Sequence, residues 1–92
     1  MRIVGEIPHP ILKITVFKND GKYSIKFESG LLEFIYKFRE DERLQSFEDI
    51  QKLADEAFIE KSAHLLRGMY EARTEAFQRN FVEEEDEFDI IL

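Results

Sequence analysis

The sequence predicts an α+β fold. The expected order is a three-stranded antiparallel meander with a short N-terminal strand as an optional fourth, then one long or two consecutive α-helices on one sheet face, then an acidic C-terminal tail. Three observations carry this. Positions 11–38 alternate apolar and polar residues with the period of strands. Two glycine-bearing turns interrupt that alternation. From Ser46 to about Asn80 the apolar residues recur at helical spacing with no proline among them. Residues 1–80 then form one β-β-β-α(α) domain, and 81–92 a tail.

The segment before the meander is the least determined. Pro8 and Pro10 interrupt it, so residues 3–7 are either a short edge strand or a loose arm. The next strand, residues 11–18, meets Asn19-Asp20-Gly21-Lys22, a hairpin signal because Gly21 tolerates positive φ. A two-residue turn at Asp20-Gly21 pairs Val16 with Ile25 and Ile14 with Phe27. The strand over residues 23–28 meets Ser29-Gly30; a turn there pairs Phe27 with Leu32, Ile25 with Phe34 and Tyr23 with Tyr36. Both registers put Leu12, Ile14, Val16, Tyr23, Ile25, Phe27, Leu32, Phe34, Tyr36 and Phe38 on one face. The other face gathers Lys13, Thr15, Phe17, Ser24, Lys26, Glu28, Glu33, Ile35 and Lys37, with Lys13 across from Glu28 and Lys26 across from Glu33.

After a charged loop over residues 39–45, Ser46 is a good N-cap, and Asp49 three residues on suits the first turn. A single rod to Asn80 would span roughly 50 Å at 1.5 Å per residue, whereas eight-residue strands reach only about 27 Å. The helix must bend or project. Ile50, Leu53, Ala54, Ala57 and Phe58 form one apolar stripe, continued by Leu65, Met69, Ala72 and Ala76, while Ile59, Ala63, Leu66, Tyr70 and Phe77 open a second. An elbow near residues 58–62 is slightly favoured over a continuous helix. The second stripe is the expected contact surface of a homodimer.

Composition narrows the function classes. Of 92 residues 43% are hydrophobic, with nine Phe and three Tyr, which suffices for one small domain. There is no Cys to form disulfides or thiolate zinc sites. No stretch has the makeup of a secretory signal or a membrane span, so a soluble cytoplasmic protein with no membrane contact is expected. Of the net charge of −7, residues 83–87 with Asp89 contribute six negative charges, so the acidity belongs to the tail. Duplex DNA binding through a dense cationic surface is disfavoured.

Candidate chemistry is sparse. His9, between two prolines, reads as a loop residue. His64, one turn after Glu60, reads as half of a surface pair, because two ligands make no metal site. Glu71 and Glu75, also one turn apart, lack the desolvation that would raise a carboxyl pKa. Ser24, Ser29, Ser46 and Ser62 read as strand surface, turn, N-cap and helix surface, and Gly5, Gly21, Gly30 and Gly68 are too dispersed for a phosphate loop. No catalytic, metal or cofactor-binding residue is assigned, and a non-enzymatic protein without a cofactor is expected.

Two interaction surfaces are left. The first joins the helical stripe Ile59, Ala63, Leu66, Tyr70 and Phe77 to the tail residues Phe88, Ile90, Ile91 and Leu92, whose acidic surroundings favour disorder in isolation; steering toward a basic partner site and docking back onto the domain or a second copy are equal alternatives for them. The alternative is a single-stranded nucleic-acid module on the outer sheet face, built from Lys13, Phe17, Lys26 and Lys37; Glu28 and Glu33 weaken its field.

Overall fold

The computed structural model describes residues 1–81. Four strands, β1 (Arg2–Ile7), β2 (Lys13–Asn19), β3 (Lys22–Ser29) and β4 (Leu32–Arg39), form one antiparallel sheet in the order β1-β2-β3-β4. Two helices follow, α1 (Phe47–Leu53) and α2 (Glu56–Asn80). The N-terminal segment is thus a full edge strand. Its prolines lie just beyond it, at positions 8 and 10, where no ladder hydrogen bond is demanded of them.

β1 pairs Ile3 with Phe17 and Gly5 with Val16, leaving Val4 as the extra residue of a bulge. The bulge lets Val4 pack at the core while Ile3 stays on the outer face. It also brings Gly5 beneath α1, where a Cβ would lie 2.5, 2.6 and 2.8 Å from three atoms of the Phe47 ring. Gly5→Ala is therefore expected to force the ring or the helix aside and to lower stability by about 1–3 kcal/mol, as overpacking does. Thermal melts of Gly5→Ala and of Gly5→Ala with Phe47→Leu check this: the second change should restore part of the loss.

The first hairpin has the expected register. Asp20 (φ 47°) and Gly21 (φ 71°) form its two-residue turn, and Val16 faces Ile25 and Ile14 faces Phe27. Positive φ at both central positions gives the turn a twist that matches the strands.

The second hairpin differs from expectation. Its turn is Gly30-Leu31, so Phe27 faces Phe34, Ile25 faces Tyr36 and Tyr23 faces Phe38. Gly30 has φ 62° and is the first central residue, where a II′ turn requires glycine; a Ser29-Gly30 turn would have put serine there. Moving the turn by one residue moves the register by two, so each side chain keeps its predicted face while its partner changes. Phe27 now stacks on Phe34 at a centroid distance of 5.2 Å. Lys26 faces Ile35 rather than Glu33, and Glu33 faces Glu28. That like-charge pair is relieved by Lys26, whose Nζ lies 3.6 Å from Glu28.

The helical segment does break, but at Ala54-Asp55 rather than at residues 58–62. Ala54 closes α1 with its N–H on the Ile50 carbonyl, and the Asp55 side chain accepts the Phe58 N–H at 3.0 Å as the N-cap of α2. Ser46 caps α1 as expected, accepting the Asp49 N–H, and the Asp49 carboxylate accepts the Gln45 N–H in return. Seven residues make too short a helix to persist alone. α1 is held by Ile50, which is fully buried in the core formed by Leu12, Ile14, Val16, Tyr23, Ile25, Phe27, Ala54 and Leu66.

Candidate interaction surface

α2 lays its N-terminal half across the sheet. Phe58, Ile59, Ala63 and Met69 pack against the core, and Ser62 and Leu66 are buried within it. Ser62 is a correction to the surface role read from sequence: its hydroxyl is fully buried and shares a 3.0 Å hydrogen bond with the Tyr36 phenol of β4. The two ends of that bond are not equivalent, because Tyr36 is partly exposed. Ser62→Ala lets the phenol turn to water and should cost about 0.5–1.5 kcal/mol; Tyr36→Phe strands a buried hydroxyl and should cost about 1–3 kcal/mol. Denaturant midpoints of the two variants check the order.

The same face of α2 continues past the sheet. With Leu66 as origin and about 100° per residue, Phe77 lies at about 20°, Tyr70 at about 40° and Phe81 at about 60°. They extend the core stripe, yet Tyr70 is 47% exposed, Phe77 53% and Phe81 51%. At 25 residues α2 is about 37 Å long, longer than the strands beneath it. The described residues accordingly reach 55 Å along their longest axis. The overhang has local order of its own: Phe81 caps the helix and sets its ring 5.6 Å from Phe77, and the Arg73 guanidinium sits 5.3 Å over the Phe77 ring.

Where α2 leaves the sheet, a cleft of about 570 Å³ opens between its underside and the sheet rim. The rim contributes Ile11, 78% exposed, and Leu31 at the tip of the second hairpin, 83% exposed; α2 contributes Leu66, Arg67, Tyr70 and Arg73. His9 closes one end. Its Nδ1 accepts the backbone N–H groups of Ile11 and Leu12 at 3.1 and 3.0 Å, so the ring shapes the loop that carries Ile11. Among the described residues no Asp or Glu lines this cleft.

The stripe residues named from sequence thus divide. Ile59, Ala63 and Leu66 pack in the chain's own core, while Tyr70 and Phe77 remain on the surface. Phe88, Ile90, Ile91 and Leu92 lie outside the described residues. Sequence reasoning did not single out Phe81, Ile11, Leu31, Arg67 or Arg73. Phe81 carried a usable signal, one turn beyond Phe77, and so did Leu31, a large apolar residue inside a hairpin turn.

The outer sheet face bears Lys13, Phe17, Lys26 and Lys37 together, uncovered by either helix. Lys26 is already engaged, over the Phe17 ring at 5.3 Å and paired with Glu28, and Glu28 and Glu33 sit side by side. That face offers a strand of nucleic acid two lysines, Lys13 and Lys37, that have no ion pair among the described residues, beside a carboxylate pair, a poor electrostatic match.

His64 and Glu60 are both exposed with no hydrogen bond between them, and Glu71 and Glu75 are exposed. In the loop after β4 the exposed Asp41 is held below the ordinary carboxylate pKa by its hydrogen bonds from the Arg43 side chain and backbone, a local turn contact. Among the described residues no three His, Asp or Glu side chains converge as a metal group, and no helix is long and apolar enough to cross a membrane. Comparison with protein-family models, with curated proteins and with solved structures finds no match to this chain.

Proposed function

We propose that this chain is a non-catalytic cytosolic protein that works by association, and that its first partner is a second copy of itself, joined through the overhanging half of α2. One observation carries the reading: the stripe that packs α2 onto its own sheet runs on as Tyr70, Phe77 and Phe81, half exposed and, among the described residues, beyond the sheet. Exposed aromatic groups beside an arginine are the residue types that anchor protein interfaces.

The charges around the stripe favour self-pairing. Glu71, Arg73, Glu75 and Arg79 sum to zero, and two such helix ends laid antiparallel bring each acidic pair toward the other copy's arginines. A domain this small also gains proportionally more from added burial than a large one. Sedimentation equilibrium at tens of micromolar tests it. The expected mass is twice the 11.0 kDa chain; a strict monomer throughout would remove the second copy as partner.

A further inference from the structure

We propose that the cleft at the root of the α2 overhang is the docking site for the chain's own C-terminal segment, residues 82–92, folded back in cis. The cleft adjoins the self-association stripe and shares Tyr70 and Arg73 with it, but extends to the sheet rim at Ile11 and Leu31 and to Arg67, none of which belongs to that stripe.

Complementarity is the first argument. Among the described residues the cleft's charged side chains are Arg67 and Arg73, and its open walls are Ile11, Leu31 and Tyr70. It is a basic island in a chain of net charge −7. Residues 82–92 read Val-Glu-Glu-Glu-Asp-Glu-Phe-Asp-Ile-Ile-Leu, six acids interleaved with and followed by large apolar groups. An extended segment of this kind places carboxylates on the arginines while Phe88, Ile90 and Ile91 cover the walls. The outer sheet face offers no equivalent, since Glu28 and Glu33 repel the acids there.

Reach is the second. α2 ends at Asn80, and Phe81 already leaves helical geometry, with ψ at 37°. From Phe81 back to Arg73 is about 12 Å along the helix axis, and to Leu66 about 22 Å. Seven extended residues from Phe81 to Phe88 span up to about 23–25 Å. Phe88 therefore arrives at the cleft just as the acidic run passes Arg73. Tethering does the rest: a short flexible link supplies an effective concentration in the millimolar range, so modest intrinsic affinity suffices.

The chain lacks cysteine, so Asp86→Cys gives one site for a nitroxide label on the full-length protein. Amide signals of the ¹⁵N-labelled, spin-labelled chain are compared with those of its reduced form. Ile11, Leu31 and Arg67 should lose more than half their intensity. A mixture of spin-labelled unenriched chain with unlabelled ¹⁵N chain should not reproduce the loss. Arg67→Glu should relieve it with spectral dispersion retained, and Leu31→Glu, at an exposed turn, provides the same test should Arg67→Glu fail to fold. Broadening confined to residues 78–81 would overturn the proposal. So would equal broadening in the mixture, which would assign the cleft to a second copy's segment. Because these signals report tail position and not mass, they stand or fall separately from the dimer.

Discussion

Phe27→Ala should remove about a quarter or more of the domain's stability and lower its urea midpoint in proportion. The Phe27 ring is fully buried on β3, with Phe34, Tyr36 and Phe58 at centroid distances of 5.2, 5.9 and 6.0 Å. It is where strand, neighbouring strand and α2 meet. Truncating a buried Phe costs about 3–5 kcal/mol. A domain with about 80 ordered residues has a total stability of only about 4–12 kcal/mol. Urea titration followed by far-UV circular dichroism measures the loss, with Phe27→Leu as a milder control. A change below about 1 kcal/mol for Phe27→Ala would mean that the aromatic cluster is not the centre of the core.

The second large effect concerns assembly. Phe77→Glu should shift the dissociation constant of the self-associated form upward by about 30- to 1,000-fold, the equivalent of losing about 2–4 kcal/mol at an interface anchor. The monomer should keep its melting temperature, since Phe77 is half exposed and touches no part of the core. Leu65→Glu is the matched control. Leu65 is equally exposed but sits about 100° around the helix from the stripe, and this change should leave the sedimenting mass unaltered. If Phe77→Glu also leaves it unaltered, the overhang is not the contact.

The contrast between Leu65 and Phe77 shows how far sequence could be read. Side-chain period and spacing identified two apolar stripes on α2. How they lie on the sheet depends on a residue no hydrophobicity pattern would select, Ser62, whose burial is made tolerable by the Tyr36 hydroxyl. The core face takes Ile59, Ala63 and Leu66 from one stripe and Phe58 and Met69 from the other, with Ser62 between them, while Leu65 turns outward. The elbow was similarly half legible. Asp55 is a good N-cap type three residues before Phe58, yet its weight against an unbroken helix is set by what a bend at that point allows Ile50 to reach.

The cleft was not legible at all. Ile11, Leu31 and Arg67 are distant in sequence, and their approach follows from the sheet's rim and the angle at which α2 departs from it.

By itself the sequence determined the three meander strands and the helical segment after them, the Ser46 cap and the sorting of the meander's side chains between two faces. The last is the most secure, because a register change of two residues leaves every face unaltered, as the second hairpin demonstrates. The tertiary structure alone decided the face by which α2 packs and the length of α2 that overhangs, whereas the pairing in that hairpin follows from the place of Gly30 in its turn. Periodicity is a local property written along one chain segment. Which parts of two adjacent stripes are buried, and where a helix runs out of sheet to cover, are properties of whole surfaces fitted together.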